Sequence, residues 1–334
     1  MMRLPWFEFR APRSVAEAAQ ILAGEGPGAM LIAGGTDLIP NMKRRHQSPK
    51  TLICLRGVKE LKKSNGSLGS GLTLSELVHD AAVRHNYRAL WQAAAQVATV
   101  HLRNMGTLGG NLCLDTRCTY YNQNHEWRKA IDFCLKKDGD ICWVATASKR
   151  CVAVSSTDTA PALIALGAKV KLVSTQGERE VPLAALYNND GIDYLTRRPD
   201  EILTEVIVPS GWTSSYWKLR RRGAFDFPVL GVAAAARLAQ DGTVEEARIA
   251  LGAAASRPFL VEKAGEFLKG KRLTDEVVAE AGALVASRAK PMDNTDLDLY
   301  WRKDVASGFA GYALCEVRGD DMRATRLRTA RQAL

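Results

Sequence analysis

MLIAGGTD, residues 30–37, is an apolar run that stops on two adjacent glycines. It reads as a buried strand that runs into a tight loop. A second glycine loop, GTLGGN at 106–111, follows an Ala-rich stretch of helical character. Adjacent glycines let backbone N–H groups converge on an anion, because no Cβ blocks the approach. Thr36 and Thr107 each add a hydroxyl donor. Two such loops suit a pyrophosphate gripped from two sides, although ordinary turns have the same glycine content. Neither loop is a G-x-G-x-x-G fingerprint. Residues 265–271 nearly spell a P-loop, but Arg272 stands where a magnesium-binding Ser or Thr belongs.

Around these loops lie 334 residues, 46% hydrophobic and 25% charged, which excludes a disordered chain and allows two or three domains. No run approaches the roughly 18 apolar residues of a membrane span, and residues 1–12 lack the apolar core of a signal peptide. A cytoplasmic location is expected. The net charge of +10 favours an acidic partner. Its basic residues are not interleaved with aromatics on one element, which argues against nucleic acid.

Capping-box spacings at Ser14/Glu17 and Thr73/Glu76 open helices over 14–23 and 73–84, and 88–101 reads as helical. Residues 64–71 read as a hairpin or linker. Residues 158–165 form a helix with Pro161 in its first turn. Strands are expected at 30–33, 51–55, 169–173, 201–208, 217–220, 229–238 and 247–251, and mostly helical sequence from 260 to 287. The expected divisions are 1–59, 60–212 and 213–334.

Five of the seven cysteines fall within residues 113–151. With no export signal, such a cluster points to a metal or redox site rather than disulfides. Cys118, Cys134, Cys142 and Cys151 are spaced by 16, 8 and 9 residues. Four thiolates can hold a tetrahedral zinc or a four-iron cluster, and spacing alone leaves Cys113 open as a fifth candidate. No H-E-x-x-H, Ser-His-Asp or G-x-S-x-G arrangement supplies a general acid, base or nucleophile, so no catalytic residue is assigned.

AGGTDLIPNMKRR (33–45), RNMGTLGGNL (103–112), TDTAPALIALGAKVKL (157–172), KLRRRGAFDFPVLGVAAA (218–235) and LGAAASRP (251–258) together resemble the FAD-binding subunits of the xanthine dehydrogenase and molybdenum hydroxylase family, over almost the whole chain. The resemblance implies an α+β fold: a two-part FAD-binding domain of the PCMH/vanillyl-alcohol-oxidase-like type, then a smaller α+β C-terminal domain of the CO dehydrogenase flavoprotein type. It implies FAD gripped by Ala33, Gly34, Gly35, Thr36 and Asp37 on one side and Thr107, Leu108, Gly109, Gly110 and Asn111 on the other. Asp158 would hydrogen-bond the ribityl chain, and Lys218 would lie near the flavin.

The cysteine-rich insert at about 113–152 is similar to that of the β subunits of 4-hydroxybenzoyl-CoA reductases. That resemblance selects Cys118, Cys134, Cys142 and Cys151 as ligands of a [4Fe-4S] cluster and leaves Cys113 out. It implies a molybdopterin-containing large subunit, a [2Fe-2S] small subunit, a dimer of heterotrimers and ferredoxin as electron donor. Basic residues of the insert, Lys136 and Lys137 among them, are expected to dock that donor. The alternatives are an oxidative molybdenum hydroxylase subunit that shares the insert, and a stand-alone FAD oxidoreductase with a structural zinc.

Overall fold

The computed structural model describes residues 3–64 and 66–330. Three sheets follow one another along the chain. The first is parallel, with Thr51–Cys54 between the edge strands Glu8–Arg10 and Ala29–Ile32. The second is antiparallel, in the order Leu68–Gly69, Ile202–Ile207, Lys169–Ser174, Gly177–Pro182. The third, also antiparallel, runs Phe259–Leu260, Val244–Gly252, Leu230–Leu238, Thr213–Leu219. No helix among the described residues is long and apolar enough to cross a membrane.

The capping signals act as read, with local differences. Thr73 Oγ1 accepts from the Glu76 N–H, and the Glu76 carboxylate accepts from the Thr73 N–H, a complete capping box. At the first helix Ser14 caps Glu17, but the Glu17 carboxylate accepts from Arg13 instead. The expected helix over 73–84 is two, Leu74–His79 and Ala81–Asn86. Asp80 breaks it by turning its carboxylate onto the N–H groups of Ala82 and Val83. The expected 88–101 helix also divides, into Arg88–Ala95 and Val100–Arg103, with Thr99 capping the second piece. Within 64–71, Leu68–Gly69 pairs with Val206 and Glu205 as a short strand. The strand Gly177–Pro182 and the 20-residue helix Leu299–Arg318 lie outside the elements read from sequence.

The third sheet is buried on both faces. Along Leu230–Leu238, Ala233 and Ala235 join the core of the second sheet, while Val232, Ala234 and Ala236 join the core beneath Asp275–Arg288 and Leu299–Arg318. Period-two alternation sends neighbouring side chains to opposite faces, so Tyr216 and Trp217 also part company, one into each core. Alanines at these positions let both layers approach closely.

A buried polar knot ties the long C-terminal helix to this sheet. The Glu316 carboxylate accepts from Ser215 Oγ (2.6 Å), Gln92 Nε2 (2.8 Å), Arg88 (3.0 Å), Trp217 Nε1 (3.1 Å) and Arg326. Burial pushes its pKa up, but Arg326 and the other donors outweigh that and hold it below the usual value. Glu316→Ala deprives buried Arg326 of its carboxylate, a loss worth about 3–5 kcal/mol. The urea-unfolding midpoint should fall accordingly, and an unchanged midpoint would refute the anchoring role.

Candidate functional site

The strand Ala29–Ile32 delivers 33–37 to the rim of a cavity of about 970 Å³. Gly35 has φ +71°, a left-handed conformation that favours glycine. A Cβ on it would meet Ile32 and Ile39 side chains, so backbone conformation rather than ligand approach demands glycine there. Gly34 is constrained differently. A Cβ on it would sit 2.0 Å from the carbonyl oxygen of Met105, so glycine is what lets the two loops touch.

The second loop is pinned by backbone bonds to the segment before it. Leu74 donates to Gly106, Leu108 to Leu72, and Gly109 to Ser70. Thr107 caps the short helix Leu108–Leu112 by accepting from the Gly110 N–H at 3.1 Å. Ala33, Gly34, Gly35, Thr36 and Asp37 line the cavity together with Thr107, Gly109, Gly110 and Asn111. Leu108 is fully buried in the hydrophobic core instead. Asn111 holds the far side in place, its Oδ1 accepting from Thr157 Oγ1 (2.8 Å) and Thr159 Oγ1 (2.7 Å).

Asp158 lines the cavity and is buried, with the Tyr216 hydroxyl at 2.7 Å and the Lys218 ammonium at 2.9 Å. Lys218 stands behind Asp158 rather than on the cavity wall, and donates also to the Gln96 carbonyl at 3.1 Å. Its strand position explains this. Residue 218 lies in Thr213–Leu219, a strand packed on the helix Arg88–Ala95, and its ammonium is held between the Gln96 carbonyl and Asp158. Burial pushes Asp158 above the usual carboxylate range and pulls Lys218 below the usual ammonium range, and their mutual attraction opposes both shifts.

Arg117 carries no sequence signal beyond its place before Cys118. It lines the same cavity, pairs with Asp37, reaches Asn41 Oδ1 at 3.3 Å and lies 4.6 Å from the Phe227 ring. Burial lowers its pKa to about 10. The insert is thereby fastened to the first glycine loop.

Cys118, Cys134, Cys142 and Cys151 line one smaller cavity with Tyr120, Tyr121, Lys136 and Trp143. Cys118 and Cys151 flank a two-bond bridge between Arg117 and Val154. Cys134 sits in a tight turn, its carbonyl accepting from Lys137 and Gly139. A Cβ at Gly139 would lie 2.8 Å from the Cys134 nitrogen. The Leu135 N–H bonds to Ile141 and brings Cys142 back alongside. Burial raises the thiol pKa of Cys118, and that of Cys151 to about 11, where the Lys136 ammonium pulls the other way. Cys113 lines the larger cavity instead. Among the described residues no group of three or more His, Cys, Asp or Glu converges tightly enough for a single ion.

Lys136 departs from the docking role expected of it. It is buried, with Nζ bonded to Asp115 Oδ1 and Thr116 Oγ1, both at 2.8 Å, and to the Gly191 carbonyl. Lys137 stays near the surface, 3.2 Å from Asp138.

Residues 5–211 match the family described as FAD binding domain in molybdopterin dehydrogenase, and residues 214–317 match the CO dehydrogenase flavoprotein C-terminal domain. The aldehyde oxidoreductase FAD-binding subunit PaoB of Escherichia coli (strain K12) is 31% identical over 321 residues, covering 91% of this chain and 97% of its own. The carbon monoxide dehydrogenase medium chain of Hydrogenophaga pseudoflava is 27% identical, covering 93% and 96%. A chain of the solved carbon monoxide dehydrogenase from that organism superposes with a TM-score of 0.76 at 26% identity, covering 93% of this chain and 97% of its own. A chain of quinoline 2-oxidoreductase from Pseudomonas putida 86 gives a TM-score of 0.74 at 26% identity, covering 95% and 98%.

Gly34→Ala should force the two loops apart. Purified protein is then expected to lose most of its flavin absorbance per chain, and full flavin content in this variant would contradict the loop-contact account.

Proposed function

The chain belongs to the FAD-binding subunits of the molybdenum hydroxylase family, and from that premise we propose that it is the FAD- and [4Fe-4S]-carrying electron-transfer subunit of a 4-hydroxybenzoyl-CoA reductase. The observation that supports the finer part is the second cavity, whose lining includes Cys118, Cys134, Cys142 and Cys151. A mononuclear zinc takes thiolates at about 2.3 Å and needs them converged on one point. A four-iron cluster takes one thiolate per iron and needs them spread around it. The donor set here is four cysteines that line one cavity, one for each iron.

On this reading each residue has a defined task. Residues 33–37 would face the pyrophosphate from one side and Thr107, Gly109, Gly110 and Asn111 from the other, with the N–H groups of 108–111 already bonded to Leu72, Ser70 and Thr107. Asn111 fixes the second loop to the segment that carries Asp158. Asp158, on the cavity wall, would accept hydrogen bonds from the ribityl hydroxyls. Lys218 acts through Asp158, offsetting the cost of a buried carboxylate beside the cofactor. Arg117 sets the position of Asp37 and closes the cavity against Phe227. FAD exchanges electrons singly or in pairs and an iron–sulfur cluster exchanges them one at a time, so the two together join a one-electron donor to a two-electron reduction.

The substrate chemistry belongs to a molybdopterin-containing large subunit, and a [2Fe-2S] small subunit lies between it and this chain. Removing the phenolic hydroxyl of 4-hydroxybenzoyl-CoA as water takes two electrons and two protons and leaves benzoyl-CoA. Reduced ferredoxin is the proposed electron source, and a dimer of heterotrimers the proposed assembly.

The test is iron and acid-labile sulfide analysis of the purified protein, wild type and variants. Four irons with matching sulfide are expected, strongly reduced by serine at 118, 134, 142 or 151 and retained in Cys113→Ser. Zinc without sulfide would replace the cluster by a structural ion. Iron stripped by Cys113→Ser but kept by Cys118→Ser would refute the ligand set.

A further inference from the structure

Resting on the reading above, we infer that the buried Lys136–Asp115 ion pair is an electrostatic partition between the two cavities, which raises the reduction potential of a cluster held by the thiols and lowers that of the flavin.

The pair spans the wall between the cavities. Lys136 lines the thiol cavity and Asp115 lines the cofactor cavity, with 2.8 Å between Nζ and Oδ1. Each side chain is 6% exposed. Among the described residues Lys136 is the one formally charged side chain on the thiol cavity's lining. Its three N–H donors are all used, on Asp115, Thr116 and Gly191. The rings of Tyr121 and Tyr194 lie 4.7 Å and 5.5 Å from Nζ. The other Asp115 oxygen accepts from Gln47 Nε2 and the Tyr121 hydroxyl, each at 3.0 Å. Both charges are thus held by several hydrogen bonds at once.

Stability does not account for such a pair. Taking two charges out of water costs several kcal/mol per ion, and apolar residues of similar volume often serve as well. What the pair supplies is direction, with positive charge toward the thiols and negative charge toward the cofactor. One-electron reduction adds a negative charge inside the thiol cage, and an adjacent ammonium in a dry interior favours that state. The carboxylate opposes the same addition on the other side. Net charge and hydrogen bonding are recognised determinants of cluster potential.

The two charges make opposite demands, and that separates an electrostatic role from a packing role. In holoprotein of verified iron and flavin content, potentiometric titration is followed by electron paramagnetic resonance for the cluster and by absorbance for the flavin. Lys136→Met is expected to shift the cluster's one-electron equilibrium at least tenfold toward the oxidised form, about 59 mV. Lys136→Arg should reverse most of that shift. Asp115→Asn should move the cluster the opposite way and raise the flavin potential. Shifts of the same sign in Lys136→Met and Asp115→Asn, or potentials that stay put at full iron content, would overturn the inference while leaving the cluster assignment intact. Should Lys136→Met lose iron, the direction of the Asp115→Asn shift decides. Iron lost from both variants makes the pair structural and overturns the inference. Wild-type protein without iron overturns both this inference and the reading beneath it.

Discussion

At Gly34 one loop lies so close to the other that a methyl group would sit 2.0 Å from the Met105 carbonyl oxygen. The rest of the site is arranged around that contact. It brings the end of a parallel strand against a loop that is itself hydrogen-bonded to the second sheet's leading segment. The cavity is the space left where these two substructures meet, with the first supplying 33–37 and the second supplying Thr107, Gly109, Gly110, Asn111 and Asp158.

The cysteine-rich insert is fastened to this frame by buried polar side chains. Arg117 reaches Asp37, Gln47 reaches Asp115, and Arg128 donates to the Arg44 carbonyl at 2.9 Å. Asn294 of the C-terminal region bonds to Val152 at 2.6 Å, and Thr119 bonds back to Asn294. The thiols are thus held by contacts to both ends of the chain, not merely by their own loop.

Much of the site was legible because its signals are local. Paired glycines, capping boxes and a run of cysteines each report on backbone a few residues long. The quartet Cys118, Cys134, Cys142 and Cys151 does line one cavity, and Cys113 stands apart. What escaped the sequence depends on partners far along the chain. Lys136 reads as a surface charge beside Lys137, yet its acceptors lie at 115, 116 and 191. Lys218 falls where a basic residue near the flavin was expected, but strand geometry puts Asp158 in front of it. Arg117 has nothing in its neighbourhood to mark it, because Asp37 and Phe227 approach it only in the folded chain. The helix breaks at Asp80 and Thr99 were hidden for the opposite reason, since a polar side chain that turns onto its own backbone defeats a favourable pattern.

The third sheet has one further consequence. Its strands send Tyr216, Ala233, Ala235 and Ala250 into one core and Trp217, Val232, Ala234 and Leu251 into the other. A sheet shared in this way is not a partition between two modules but a common wall. Separating the C-terminal region from the flavin-binding part would strip one face of every long strand in it. The two regions therefore share the burial of one sheet, whose far face is covered by the helices Asp275–Arg288 and Leu299–Arg318.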